Sequence, residues 1–143
     1  MVSPTEAMAA AKVFARAVIR KKWLELSQLF ASTAQVENTP EYLEAAFGWK
    51  RLGPKLRQMH IDITGDDEEM VPELDPPKRY EMFEVEEREL PFGHDLNVPL
   101  CWVEIDFQPS EDSEFDQCYN CFLAFIDESG PRVTAFAIEA ATE

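Results

Sequence analysis

Glycine is scarce in this 143-residue chain, with five residues in all and no cluster among them. A phosphate-binding loop needs several glycines close together, so the composition argues against a nucleotide-binding enzyme. Three cysteines, an odd number, indicate free thiols in a reducing cytoplasm rather than a disulfide framework. No apolar run approaches the roughly 18 residues of a membrane span, and no secretory signal is recognisable at the N-terminus.

Positive charge is nearly missing after residue 60. Nine of the 13 Lys and Arg precede Ile61, whereas 23 of the 28 Asp and Glu follow His60, so the two parts carry +4 and −19. The pI near 4.4 argues against nucleic acid and against an anionic membrane as partners. Solubility alone explains part of the acidity, but such a division of charge also indicates interaction through a polarised surface.

The sequence predicts helices in the basic part of the chain, residues 1–60. Ser3, Pro4 and Glu6 form a capping box with proline at the first helical position. A second short helical stretch begins at Trp23, and the pattern leaves open whether the chain kinks near Lys22. Thr39 caps a third helix, for which the pattern offers two ends, Gly48 or the pair Gly53-Pro54, and favours the second. Apolar residues at helical spacing indicate the buried side of the first helix: Ala7, Met8, Ala11, Phe14, Ala15, Val18 and Ile19.

The apolar pattern then changes to alternation, which is typical of strands. Gly65 to Pro77 is predicted as an acidic, turn-rich loop, and Asp127 to Gly130 as a hairpin turn. The predicted strands are Lys55–Ile63, Tyr80–Leu90, Val98–Phe107, Gln117–Ile126 and Arg132–Ala140. Helices followed by strands predict one α+β domain over residues 1–143, with N-terminal helices packed on a curved antiparallel sheet.

This order of elements resembles the nuclear-transport-factor-two-like superfamily, also called the ketosteroid-isomerase-like or cystatin-like α+β cone. The resemblance is carried by residues 11–17 leading into 23–30, by the helix start at 39–43, and by the closing strands at 122–125 and 133–136. It implies a cone-shaped pocket, which some members use for catalysis and others for binding. None of that superfamily's catalytic residues can be matched to positions in this chain.

His60 and Asp62 are the first candidates for chemistry. On the predicted strand they would share one side, where a carboxylate could orient the imidazole as a general acid and base. The alternative is a solvated pair, because Met59, Ile61 and Ile63 make the opposite side the better pocket lining. With Tyr119, these two residues are the weak catalytic candidates of an isomerase, dehydratase or hydrolase.

Cys118 and Cys121 have the spacing of a redox or zinc pair. A strand pattern would send their sulfurs to opposite faces, and zinc would need further ligands, for which Cys101 and His94 are nearest. Buried structural thiols are the favoured interpretation. The acidic run at residues 66–69 lacks the ligand spacing and central glycine of a calcium loop. We therefore expect no metal and no cofactor.

Acidic residues on the predicted sheet remain as the candidate binding surface. Glu84, Glu86, Glu104 and Asp106 are expected on one side of neighbouring strands, with Trp102 among them as an anchor surrounded by steering charges. Alternatively, Trp102 packs at a homodimer seam or beneath the acidic loop.

The sequence therefore predicts a cytoplasmic, non-catalytic interaction domain, expected as a homodimer. Its predicted partner is a basic protein or a small apolar ligand. The alternative is a small-molecule enzyme that uses the cone pocket.

Overall fold

The computed structural model describes residues 2–34, 36–71, 73–86, 99–113 and 118–140. These residues form an open four-stranded antiparallel sheet with helices packed against it, which confirms the predicted α+β class. The strands follow chain order across the sheet. The elements are α1 Pro4–Ile19, α2 Trp23–Ser27, α3 Pro40–Phe47, α4 Trp49–Thr64, a 3-10 turn Glu68–Met70, β1 Arg79–Val85, β2 Cys101–Gln108, β3 Tyr119–Asp127 and β4 Pro131–Ala140.

The N-terminal cap forms as predicted. The Glu6 backbone N–H donates to Ser3 Oγ at 3.2 Å, and the Ser3 backbone N–H donates back to the Glu6 carboxylate at 3.4 Å. The predicted apolar side of α1 is buried at Ala7, Ala11, Phe14, Ala15 and Val18. α1 lies against β1, β2 and β4, so it is the main helix on the sheet.

α1 and α2 are separate helices. α1 ends at Ile19 and α2 begins at Trp23, and between them Lys21 has a left-handed backbone with φ of 59°. Left-handed backbone in a residue other than glycine is uncommon and strained. The break near Lys22 that the sequence left open is therefore a sharp turn.

α4 corrects the predicted strand at Lys55–Ile63 and the favoured helix end at Gly53-Pro54. The third helix ends at Gly48, and a new helix runs from Trp49 through Pro54 to Thr64. Leu52 and Leu56 are buried on one side of α4, and Met59 packs against the same core. This spacing of three and four residues is helical. Burial of the three side chains outweighs the loss of the backbone hydrogen bond that Pro54 removes.

The four strands agree with the predicted ones to within a few residues where both are described. Residues 87–98 and 114–117 contain the ends of three predicted strands and lie outside the described residues. Asp127 to Gly130 forms the predicted hairpin turn, in which Gly130 has φ of 111° and its N–H donates to Asp127 Oδ1 at 3.1 Å.

Aromatic residues occupy the space between the helices and the sheet. The rings of Phe14 and Phe47 lie 5.7 Å apart, and those of Phe47 and Phe136 lie 5.1 Å apart. Tyr119 is stacked between Phe107 and Trp49, at 4.7 and 6.4 Å.

One segment after α2 pairs with the edge of the sheet. The Val133 N–H donates to Leu29 O at 2.9 Å, and the Ala31 N–H donates to Val133 O at 2.8 Å. β4 has an irregularity there, since Ala124 pairs with Ala135 and Phe125 with Val133, which leaves Thr134 as the extra residue of a bulge.

Candidate functional site

The candidate site is the sheet surface that faces away from the helices, here called the outer face. The pairing of residues between neighbouring strands shows which side chains lie on this face, because residues directly opposite each other on antiparallel strands share a side. Three rows of residues cross all four strands of this face. They are the apolar row Val85, Trp102, Ala124 and Ala135, the mixed row Phe83, Glu104, Phe122 and Ala137, and the polar row Glu81, Asp106, Asn120 and Glu139.

The outer face is therefore apolar at one end and acidic at the other. Glu81 and Glu139 are exposed at the two edges of the polar row, while Asp106 between them is 7% exposed. Gln108 donates to Asp106 Oδ2 at 3.2 Å. Phe83 stands in the mixed row with 44% of its surface exposed.

Trp102 has a different role from the predicted one. Its side chain is 4% exposed, and it packs with Ala124 and Ala135, with Val85 and Leu100 against the same group. A buried indole cannot anchor a partner without a local rearrangement. The exposed aromatic residue of the outer face is instead Phe83, which the sequence analysis did not single out. Its spacing of two residues from Glu81, which puts both on one side of a strand, would have been the signal for it.

Glu84 corrects the predicted acidic surface. It lies opposite Val103, whose side chain belongs to the helix-facing core, so Glu84 and Glu104 are on opposite sides of the sheet. Burial of the Cys101 thiol, and to a smaller extent the negative charge of Glu84, raise the pKa of Cys101. Glu86 is exposed just beyond the end of β1. Glu104 and Asp106 share the outer face as predicted, and Glu81 takes the place expected for Glu84.

The predicted His60–Asp62 pair does not form. Both residues lie on α4, where side chains two positions apart point in widely different directions. Asp62 instead accepts a hydrogen bond from Gln58 Nε2 at 2.9 Å, one turn earlier. The third catalytic candidate, Tyr119, is fully buried in the core, and burial raises the pKa of its hydroxyl well above the ordinary value. The structure therefore does not bring these three residues together.

Cys118 and Cys121 are both buried, and their thiols are free. Burial, reinforced by Asp75 and Asp106, raises the pKa of Cys118 to about 12, and burial also raises the pKa of Cys121. Cys118 Sγ lies 3.3 Å from the Asp75 carbonyl oxygen, to which it donates. Neutral, enclosed thiols of this kind are poor nucleophiles and poor metal ligands.

No group of three or more His, Cys, Asp or Glu within the described ranges could hold a metal ion. His94, which was considered as a ligand, lies outside those ranges. In the acidic loop, Arg57 donates to the carbonyls of Glu68 and Val71, so this loop is fixed to α4. Within the same ranges, every helix is too short or too polar to cross a lipid bilayer.

Three of the surface clefts lined by described residues lie between these elements. One of about 560 Å³ lies beside Trp23 and Trp49, and one of about 570 Å³ lies between α4 and the acidic loop. The third, of about 460 Å³, lies between α1, α2 and the start of β4. None of the three is lined by His60, Asp62 or Tyr119.

Fold and site together define an α+β domain with a mixed acidic and apolar sheet face. The chain matches no protein-family model, no curated protein and no solved structure.

Proposed function

We propose that the protein is a non-catalytic interaction domain whose outer face binds a basic protein partner. The position of Phe83 carries this proposal. Phe83 is 44% exposed in the middle of β1, with Glu81 two residues before it and Glu104 directly opposite on β2. An exposed aromatic residue between carboxylates provides apolar contact area together with charges that select a cationic partner.

The charge of the whole chain supports the same partner class. The part after residue 60 carries −19, so its field attracts a cationic protein and raises the rate of association. A second copy of this chain is less suited to the outer face, because its own carboxylates would meet like charges there. The homodimer expected from the sequence is therefore an alternative occupant for the experiment to exclude.

Edge protection is the simpler explanation for the acidic residues on β1. β1 is at the edge of the sheet, and charged side chains at an edge prevent pairing with other chains. That explanation accounts for Glu81 and Glu84 but not for the exposed Phe83 between them. A partner that covers Phe83 accounts for both.

Kinship with the nuclear-transport-factor-two-like superfamily is part of the proposal. It is supported by helices on one side of an antiparallel sheet, with α1 lying against three of the strands. It is weakened at α4, because the resemblance was based on a strand there. The enzymatic alternative has less support, because His60 and Asp62 do not form a pair on α4 and Tyr119 is buried in the core.

The test uses a synthetic basic peptide in which Lys alternates with Leu, and a neutral analogue in which Gln replaces Lys. Binding to the ¹⁵N-labelled protein is followed by NMR at low salt. We expect the basic peptide to shift the resonances of the three outer-face rows and to lose affinity as salt is added. The neutral analogue should bind at least about tenfold more weakly, because steering and ion pairing are lost.

Matched variants separate a specific face from general attraction. Glu81→Lys and Glu37→Lys change the net charge equally, but Glu37 is an exposed residue between α2 and α3. We expect about a tenfold loss of affinity for Glu81→Lys and for Phe83→Ser, and less than about twofold for Glu37→Lys. Equal losses in the two charge variants would overturn the proposal, and so would a dimer in sedimentation experiments that Phe83→Ser dissociates.

A further inference from the structure

We infer that the cleft between α1, α2 and β4, here called the basic cleft, binds a small organic anion with a phosphate or carboxylate head. This site is independent of the outer face. The cleft has a volume of about 460 Å³ and is lined by Val13, Arg16, Ala17, Arg20, Lys22, Glu25, Gln28, Leu29 and Arg132.

The cations of the basic cleft come from three different elements. Arg16 and Arg20 are four residues apart at the end of α1, so they lie on one side of it. Lys22 follows the left-handed turn at Lys21. Arg132 reaches across from β4, where its Nη1 donates to Gln28 O at 2.6 Å. Residues distant in the sequence therefore converge on one small volume.

Neighbouring acids offset only part of the repulsion among these cations. Glu25 is the one carboxylate in the lining, against four cations. Among the described residues, no ion pair within 4.0 Å joins Arg16, Arg20 or Lys22 to a carboxylate. Such a cluster is unexpected in a chain of net charge −15. A bound anion would neutralise it.

Stabilisation of the helix dipole explains only part of the cluster. Basic residues at the end of α1 interact favourably with its carbonyl groups, which accounts for Arg16 and Arg20. Arg132 is not on that helix, and its contact with Gln28 turns it toward the segment after α2. The left-handed turn at Lys21 has a capping role, since the Lys21 and Lys22 N–H groups donate to Val18 O and Ala17 O at the end of α1, and the same turn brings Lys22 into the lining.

The shape and composition of the lining indicate the ligand class. Guanidinium groups bind phosphate and carboxylate through paired hydrogen bonds, so the arginines suit an oxyanion. Val13, Ala17 and Leu29 add an apolar wall, and Val13 is 53% exposed. The volume is in the range of small-molecule sites. We therefore expect a ligand with one anionic head and a short apolar body.

Hexyl phosphate and heptanoate are suitable probes because they share the six-carbon body and differ in the head. Inorganic phosphate serves as the head alone. Each probe is titrated into the ¹⁵N-labelled protein at about 50 mM salt, with the arginine Nε–Hε resonances observed by NMR. We expect shifts at Arg16, Arg20 and Arg132, with hexyl phosphate binding more tightly than inorganic phosphate. The ratio of the hexyl phosphate and heptanoate affinities identifies the preferred head.

Three variants test whether the cleft itself is responsible. Arg16→Gln and Arg132→Gln should each weaken hexyl phosphate binding by about tenfold, because each removes a charge-assisted hydrogen bond. Lys12→Gln removes the same charge from an exposed position on α1 outside the cleft, and should change the affinity by less than about twofold. Arg132→Lys keeps the positive charge but removes the guanidinium contact with Gln28 O. It therefore separates the effect of the charge from the effect of that contact.

Two results would overturn the inference. One is that none of the three probes shifts the cleft resonances at low salt. The other is that Lys12→Gln weakens binding as much as Arg16→Gln, which would indicate attraction to the basic part of the chain as a whole. Neither result bears on binding of basic peptides at the outer face, so the two proposals can fail separately.

Discussion

The ring of Tyr119 lies 4.7 Å from the ring of Phe107, and their planes are inclined by 25°. This stacked contact places the Tyr119 hydroxyl inside the core, where the described residues offer it no hydrogen-bond partner. A buried hydroxyl without a partner loses its hydration and gains nothing in exchange. The aromatic ring therefore stabilises the fold, while its hydroxyl opposes it.

Tyr119→Phe is expected to raise the free energy of unfolding by about 1 kcal/mol, because it removes that hydroxyl and keeps the ring. Urea unfolding followed by circular dichroism measures the change. Tyr42→Phe is the control, since Tyr42 is 40% exposed and its hydroxyl remains hydrated. Destabilisation by Tyr119→Phe would show that the hydroxyl has a partner.

Alkaline pH is expected to destabilise the protein through its buried thiols. The folded state holds Cys118 and Cys121 in the neutral form, with pKa values raised above the ordinary 9.0. Their contribution to stability is complete below pH 9 and decreases as the pH rises toward the folded pKa, because only the unfolded state releases the protons. Between pH 9 and the raised pKa of the folded state, each thiol should therefore cost about 1.4 kcal/mol of stability per pH unit.

Cys121→Ala isolates this effect from the other groups that titrate at high pH. The variant should be less stable than the parent at pH 8, but its stability should fall less steeply between pH 9 and 11. Urea midpoints across this range measure both slopes. Identical slopes would mean that Cys121 ionises equally well in the folded and unfolded states.

Arg57 is expected to control the accessibility of the acidic loop. Its Nε and Nη2 donate to Val71 O at 3.0 and 2.7 Å, and its Nη1 lies 3.8 Å from the Glu68 carboxylate. Arg57→Gln should therefore increase cleavage after Glu68 and Glu69 by a glutamate-specific protease about tenfold, since opening of the loop becomes easier. Lys55→Gln, an exposed neighbour on α4, should leave the rate nearly unchanged. Equal rates for the two variants would show that the loop opens independently of Arg57.

Truncation of Trp102 is expected to destabilise the fold much more than truncation of Phe83. Trp102→Ala removes a side chain that is 4% exposed, and should cost about 3–5 kcal/mol of stability. Phe83→Ala should cost less than about 1 kcal/mol, because Phe83 is already largely in contact with water. Chemical unfolding of both variants tests the assignment of one residue to structure and the other to binding. Comparable losses would mean that Phe83 is also part of the packed structure.

The sequence predicted the strands more reliably than the fourth helix. Alternating apolar residues and turn signals located β2, β3, β4 and their hairpin to within a few residues. At α4 two patterns competed, since Met59, Ile61 and Ile63 alternate while Leu52, Leu56 and Met59 have helical spacing. The pair Gly53-Pro54 favours a helix end and the alternation after it favours a strand, although the helix continues through Pro54.

The candidate site depended on register, which a single strand does not reveal. Alternation within β1 separates Glu81 from Glu84, but only pairing with β2 determines that Glu81 shares a side with Asp106. The packing of Trp102 was equally hidden, because its neighbours Ala124 and Ala135 lie on other strands. Both features are long-range consequences of the fold.

The backbone pairing between Leu29, Ala31 and Val133 has a consequence for self-association. An exposed outer strand is a template on which another molecule can extend the sheet, and such extension leads to fibrils. The segment after α2 occupies the hydrogen-bonding groups of Val133, at the point where the bulge already interrupts the ladder. Another molecule that pairs with β4 at Val133 would first have to displace this segment, so the edge of the sheet is blocked at that residue.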